Sequence, residues 1–113
     1  MPAPQAQRLE ICLNEVLANI LAYGGSAALA APIRLQLKVL CAAAAGEARV
    51  IVSDAGVAFN PLEVKMPPRP NTLAEAPAGG LGLVMIRRCA DWLDYCREGG
   101  HNHFTFGTRW HRI

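Results

Sequence analysis

The chain lacks the features that would assign it to several common classes of protein. Its 113 residues carry a net charge of only +2, which is too small to argue for a nucleic-acid-binding surface. No apolar run is long enough to span a bilayer, and the N-terminus has no charged start, apolar run and cleavage site of a signal peptide. We therefore expect no direct contact with nucleic acid and no membrane segment.

A C-x-x-C pair is also absent. Three of the four cysteines lie in apolar segments, where a reduced thiol behaves as a small hydrophobic side chain. This pattern indicates a cytoplasmic protein. With 113 residues, of which 52% are hydrophobic, the chain is long enough for a single domain over residues 1–113 with its own core.

Hydrophobic periodicity predicts six regular elements and one long loop. They are a helix over 7–23, strands over 33–41 and 48–53, a proline-rich, lid-like loop over about 61–80, a helix over 81–93, and strands over 94–98 and 102–110. We expect the first strand to be half-buried, and tight turns at 45–47 and 99–101. This order predicts an α+β fold, a two-layer α/β sandwich whose mixed or antiparallel sheet has its helices on one face.

A glycine-rich turn, Gly79-Gly80-Leu81-Gly82, runs directly into the second predicted helix. The N-terminus of a helix presents unpaired N–H groups and the positive end of its dipole, and glycine lets phosphate oxygens approach the backbone. The spacing is that of neither a P-loop nor a dinucleotide fingerprint. Alone, the turn is as typical of a tight loop as of an anion site.

Two other positions carry candidate functional side chains. Glu15 and Asn19 lie four residues apart, on one face of the first predicted helix, although a solvated polar pair has the same pattern. Asp54 follows the second predicted strand and precedes Gly56, which suits a ligand read by a carboxylate and by exposed backbone. An ordinary Asx turn has that pattern too.

Together these motifs resemble the ATP-binding domain shared by gyrase, the Hsp90 chaperone, histidine kinases and MutL, the GHKL or Bergerat fold. Within that superfamily the chain is similar to the anti-sigma-factor serine-protein kinases of the RsbW and SpoIIAB type. The resemblance covers residues 9 to about 106. Its motifs are Glu15-Val16-Leu17-Ala18-Asn19, Asp54-Ala55-Gly56-Val57-Ala58-Phe59-Asn60-Pro61 and Gly79-Gly80-Leu81-Gly82-Leu83.

The resemblance implies a role for each motif. Asn19 would be a Mg²⁺ ligand, and Glu15 would be the catalytic general base. Asp54 would accept a hydrogen bond from the exocyclic amine of adenine, and Gly56 would let the base lie against the backbone. The turn that binds the ATP phosphates would be formed by Gly80, Leu81, Gly82 and Leu83. Thr105 would lie at the floor of the adenine pocket.

The resemblance also implies an activity and partners. The protein would be a Mg-ATP-binding anti-sigma factor and a serine/threonine-protein kinase, a transferase that phosphorylates a STAS-type anti-sigma factor antagonist and so regulates transcription. A homodimer is expected from the family. The alternatives are a non-catalytic nucleotide-sensing regulatory module and a protein-interaction domain that has lost ATP binding.

Three features depart from the family pattern. Family kinases carry a strand and a helix before the Glu/Asn helix, and few residues precede it here. That leaves open a trimmed fold or an edge filled by another chain. Tyr23 stands where a histidine is common, and Ala78 stands where kinases tend to have a basic residue, with Lys65 and Arg69 as the nearest substitutes. Loss of that cation would slow phosphoryl transfer while leaving ATP binding intact.

Overall fold

The structure is a computed structural model that describes residues 1–63 and 80–111, with the side chains of residues 80–83 outside that description. The helices are α1 (Ala3–Tyr23) and α2 (Gly80–Cys89), and the strands are β1 (Arg34–Cys41), β2 (Ala45–Asp54), β3 (Trp92–Glu98) and β4 (His101–His111). Short 3₁₀ turns cover Ser26–Leu29 and Pro61–Glu63. The predicted order of elements is confirmed.

The four strands form one antiparallel sheet in the order β1-β2-β4-β3. Helix α1 packs on β2 and β4, and α2 packs against α1 on the same side of the sheet. The predicted α+β two-layer sandwich is therefore confirmed, and its sheet is entirely antiparallel. Within the described residues, no helix combines the length and hydropathy needed to cross a bilayer.

The core lies between α1, α2 and the two central strands. Because side chains alternate along a strand, every second residue of β2 and of β4 faces the helices. The buried apolar residues of this cluster are Leu9, Cys12, Val16, Ala48, Val50, Val52, Ile86, Phe104, Phe106 and Trp110. Asp54 and Asn102 continue the same alternation beyond the apolar residues, so both are buried on the helix side at one end of the sheet.

Two glycines within the strands make room for tryptophan side chains on the neighbouring strand. A Cβ atom on Gly46 would lie 2.2 Å from the ring of Trp110, and one on Gly107 would lie 2.3 Å from the ring of Trp92.

Two predicted element bounds differ from the structure. The predicted turn at 45–47 is wrong, because Gly46 belongs to β2 and the turn is made by Ala43 and Ala44. The second helix is likewise shorter than predicted, and Trp92 opens β3 instead.

Strand β1 differs most from expectation. Leu35, Leu37, Val39 and Cys41 alternate onto one face, as predicted, but all eight residues of the strand are exposed. Helix α1 lies over β2 and β4, and none of the described elements covers the helix side of β1. The prediction of a half-buried strand is therefore wrong, and β1 leaves an apolar surface open.

Candidate functional site

An open cleft lies where the C-terminal part of α1 meets the adjacent ends of β2, β3 and β4. The empty space within it, counted together with the solvent-open space at its mouth, is about 410 Å³. Two of the three sequence motifs reach it, through Asn19 and Asp54. The other lining residues are Val16, Ile20, Tyr23, Gly24, Val57, Phe59, Pro61, Tyr95, Asn102 and Phe104. A mainly apolar wall with a few polar groups is typical of a site for a flat organic ligand.

Asp54 is the principal charged group of the cleft. It is the last residue of β2 and is only 5% exposed. Its Oδ1 accepts hydrogen bonds from the backbone N–H of Gly56 at 2.9 Å and from Nδ2 of Asn102 at 3.2 Å. Its Oδ2 accepts none from the described residues. The carboxylate is thus fixed through one oxygen and can accept a ligand N–H at the other.

Asn102 connects Asp54 to the surrounding strands. Its Nδ2 donates to Asp54 and, at 2.9 Å, to the carbonyl oxygen of Val57. Its Oδ1 accepts from the hydroxyl of Tyr95 and, at 3.0 Å, from Nη1 of Arg97. Asn102 is itself 5% exposed, and its bond to Asp54 is buried, so the network holds Asp54 in one orientation.

Gly56 brings the turn after β2 into contact with the end of α1. A Cβ atom on Gly56 would lie 2.9 Å from both the Cα and the carbonyl oxygen of Gly24, closer than real side chains approach. The N–H of Val57 donates to that same carbonyl at 3.0 Å. The two backbone segments can therefore approach this closely only because residue 56 is glycine. Gly24 and Val57 line the cleft, and Gly56 lies behind them outside its lining.

Asn19 and Glu15 lie on consecutive turns of α1 and differ in burial. Asn19 is 6% exposed, lines the cleft, and its Nδ2 has no hydrogen-bond partner among the described residues. A buried amide without a partner is a costly arrangement that points to a ligand contact. Glu15 is half-buried one turn away and is not among the residues that line the cleft.

Comparison with known proteins agrees with this site. Residues 1–107 match the family described as "Histidine kinase-like ATPase domain". The chain belongs to this family. It is also similar to the serine/threonine-protein kinase BtrW of Bordetella bronchiseptica, with 32% identity over 97 residues, covering 86% of this chain and 66% of the relative. The chain therefore spans about two thirds of the length of that curated relative. No solved structure matches it.

In this histidine kinase-like ATPase domain, two aromatic side chains flank the cleft. The rings of Tyr23 and Phe59 are stacked, with centroids 5.5 Å apart and planes inclined by 20°. Tyr23 is the last residue of α1, and Phe59 follows Asp54 in the second motif. No role was expected for Phe59 from the sequence, although its place in that motif could have indicated one.

The third motif opens α2, as predicted, since the helix begins at Gly80. The side chains of Leu81, Gly82 and Leu83 lie outside the described residues, as do Lys65, Arg69 and Ala78. The body of α2 packs against α1, and the Cys12 thiol of α1 lies 3.8 Å from the carbonyl oxygen of Ile86 in α2. Nη2 of Arg87 also donates to the carbonyls of Pro61 and Leu62, at the rim of the cleft.

Thr105 does not reach the cleft, which corrects the expectation that it lies at the floor of the pocket. It pairs with Ile51 and Asp94 on the outer face of the sheet, opposite the helices. Asn102 and Phe104 hold the floor instead. The alternation of β4 could have placed these residues from the sequence alone. Phe104 and Phe106 define the core face of β4, Asn102 lies on that same face, and Thr105 lies on the opposite one.

Proposed function

We propose that this chain binds ATP in the cleft, with the adenine lying between Asp54 and the wall formed by Gly24 and Val57. Support comes above all from Asp54, a buried carboxylate whose Oδ2 receives no hydrogen bond from the described residues. The exocyclic amine of adenine would donate a hydrogen bond to this oxygen. Guanine carries a carbonyl at the equivalent position, so its oxygen would face the carboxylate. ATP should therefore be preferred over GTP.

The phosphates would extend from the adenine towards the N-terminus of α2 and towards Asn19. By resemblance, Oδ1 of Asn19 would hold a magnesium ion, because a neutral oxygen ligand suits a hard cation that keeps most of its waters. The unpartnered Nδ2 of Asn19 is a donor, and it could donate a hydrogen bond to a phosphate oxygen. When bound, Mg²⁺ would neutralise charge on the phosphates. The backbone N–H groups at the start of α2 would add to that neutralisation.

We further propose that the protein transfers the γ-phosphoryl group to a serine hydroxyl of a partner protein. The serine oxygen would form a bond to the γ-phosphorus as the bond to the bridging oxygen breaks, and ADP would leave with that oxygen. Glu15 would accept the serine proton. The similarity to a serine/threonine-protein kinase supports this reaction.

By resemblance, the partner that is phosphorylated would be a STAS-type anti-sigma factor antagonist. The protein would also bind a sigma factor and hold it inactive. The alternative is a nucleotide-sensing module that binds ATP without transferring phosphate. It is favoured by the position of Glu15, which is not among the residues that line the cleft.

The decisive test is calorimetric titration of ATP into the wild type and into Asp54→Asn. This substitution keeps the shape of the side chain and replaces one acceptor oxygen by a donor. We expect ATP to bind the wild type, GTP to bind more weakly, and Asp54→Asn to lose at least about tenfold in affinity. Asp94→Asn, on the exposed part of β3, is the matched control and should bind normally.

Absence of ATP binding by the wild type would overturn the proposal and favour the interaction-domain alternative. If ATP binds, Glu15→Gln separates kinase from sensor. A kinase should keep its ATP affinity in this variant and lose transfer to a serine-containing partner peptide by about 10² to 10⁴-fold. A wild type that binds ATP but transfers nothing to any STAS-type partner would identify the sensor.

A further inference from the structure

The end of the cleft that the strands form presents a second oxygen beside the carboxylate of Asp54. Tyr95 is half-buried on β3, packs its ring against the core and lines the cleft. Its hydroxyl is hydrogen-bonded to Oδ1 of Asn102, and Nδ2 of the same amide is bonded to Asp54 at 3.2 Å. The hydroxyl and the carboxylate therefore contact the two ends of one buried side chain, so both oxygens lie at the same end of the cleft.

The direction of each hydrogen bond here follows from the orientation of the Asn102 amide. Arg97 has no acceptor, so the amide atom 3.0 Å from its Nη1 must be the oxygen. The carbonyl of Val57 has no hydrogen to donate, so the amide atom 2.9 Å from it must be the nitrogen. A flipped amide would place donor against donor at Arg97 and acceptor against acceptor at Val57. Only one orientation satisfies both neighbours.

This orientation leaves the Tyr95 hydroxyl a single choice. It faces Oδ1 of Asn102, which can only accept, so its one hydrogen must point there. The lone pairs of Oη are then its remaining hydrogen-bonding capacity, and none of the described residues donates to them. Oδ2 of Asp54 is in the same position, because Gly56 and Asn102 both donate to Oδ1. The strands thus present two acceptors to a ligand.

We infer that Tyr95 is a specificity-determining residue, whose Oη accepts the second hydrogen of the amine that Asp54 binds. The inference rests on the proposed binding of ATP and makes its selectivity stricter. An aromatic amine carries two hydrogens that point in different directions in the plane of the ring, so each can donate to its own acceptor. Asp54 alone would be satisfied by a secondary amine. Asp54 and Tyr95 together require an unsubstituted amino group.

The side of the cleft formed by α1 has the opposite character. Asn19 is 6% exposed, and its Nδ2 has no acceptor among the described residues. The cleft therefore has two acceptors on the strands and a donor on α1. ATP has a matching polarity, with an amine at one end and anionic phosphate oxygens at the other. A base with a carbonyl in place of the amine would face both acceptors, and buried polar groups left unpaired discriminate strongly against such a ligand.

Calorimetric titration with three nucleotides tests the role of Tyr95. ATP has a primary amine, N6-methyl-ATP a secondary amine, and purine riboside triphosphate no amine. We expect folded Tyr95→Phe, verified by circular dichroism, to bind ATP about 2- to 12-fold more weakly than the wild type, because one hydrogen bond is lost. It should bind purine riboside triphosphate as the wild type does. Ser53→Ala removes a hydroxyl from the outer face of the sheet and is the matched control, which should bind all three normally.

N6-methyl-ATP distinguishes a direct contact from a positioning effect through Asn102. The wild type should bind it more weakly than ATP, because the methyl group replaces the hydrogen that Oη accepts. Tyr95→Phe should bind ATP and N6-methyl-ATP with nearly equal affinity, because the contact is already gone and the missing oxygen leaves room for the methyl group. If Tyr95 only oriented Asp54, the variant would bind both nucleotides more weakly and would keep the penalty for methylation.

The outcomes distinguish failure of this inference from failure of the proposed function. A wild type that binds ATP and N6-methyl-ATP equally well would overturn the inference without any variant. So would a folded Tyr95→Phe that has normal affinity for ATP, or that keeps the methylation penalty of the wild type. In these cases the binding of ATP and its dependence on Asp54 would stand. A wild type that binds none of the three nucleotides would overturn both.

Discussion

At the scale of single residues, Asn102 lies outside the three sequence motifs and yet takes part in several hydrogen bonds that hold the cleft together. Replacing it by alanine would remove one donor from Asp54 and leave the Tyr95 hydroxyl without its acceptor. Arg97 would lose one acceptor and keep the carbonyl oxygens of Gly56 and Gly100. A buried polar group that loses its partner costs about 1–3 kcal/mol. We therefore expect Asn102→Ala to lower the free energy of unfolding by about 1–3 kcal/mol, measured by urea denaturation.

The same variant should also weaken ATP binding in calorimetry, at a temperature where it remains folded, because Asp54 would lose its fixed orientation. Asn14→Ala is the matched control, since Asn14 is exposed on α1. It should change neither quantity. Normal ATP affinity in folded Asn102→Ala would show that Asp54 is positioned without Asn102.

The buried Cys12 thiol should make the stability of the domain depend on pH in the alkaline range. Burial, together with the nearby Cys89 thiol and the Glu15 charge, raises the pKa of the Cys12 thiol from 9.0 to about 12. Above pH 9 the unfolded chain loses this proton while the folded chain keeps it. The contribution of Cys12 to stability is therefore complete below pH 9 and is lost progressively between pH 9 and about 12.

Urea denaturation at several pH values tests this. We expect the free energy of unfolding to fall less steeply above pH 9 in Cys12→Ala than in the wild type. The difference in slope should be at most that of one bound proton, 2.303RT per pH unit. The absolute stability of the variant will be lower, because the core loses a buried side chain. Cys96→Ala removes an exposed thiol and should keep the wild-type slope.

At the scale of elements, the cleft depends on the contact between the end of α1 and the turn after β2. Gly56→Ala would force the two segments apart, because the new Cβ would lie 2.9 Å from the backbone of Gly24. We expect a loss of about 1–3 kcal/mol in stability and faster hydrogen exchange at the Val57 amide, which bonds to Gly24. Ala58→Ser, at an exposed position of the same turn, should leave both unchanged.

The elements also show how far local sequence patterns predict this fold. The step of three and four in α1 and the alternation in β2 and β4 report directly on a core face, so these elements and the placement of Asp54 and Asn19 followed from sequence. The start of β3 did not. Trp92 continues the apolar period of α2, and it belongs to a strand because its ring packs on Gly107 of a different element.

Two further misses have different origins. Alternation in β1 correctly predicted which side chains share a face, but it carries no information on whether a helix covers that face, which depends on a contact between elements far apart in the sequence. Thr105 was assigned by analogy to a pocket on the helix side, although the alternation of Phe104 and Phe106 along β4 already places it on the outer face.

At the scale of the whole molecule, the cleft and strand β1 are separate. No residue of β1 is among those that line the cleft, which draws on α1, on the ends of the other three strands and on the turns beside them. Effects at sites that share no partners are close to additive. Substitution on the open apolar face of β1 should therefore leave nucleotide binding unchanged.

Thermal unfolding with and without Mg-ATP makes that independence measurable. A ligand that binds only the folded state stabilises it by RT ln(1 + [L]/Kd), about 2.7 kcal/mol at a hundredfold excess over Kd. We expect the wild type and Leu37→Lys to show the same ATP-dependent rise in Tm at one protein concentration, and Asp54→Asn to show little or none. A smaller rise in Leu37→Lys would mean that β1 contributes to the nucleotide site, because changing its open face would then also weaken the binding of ATP.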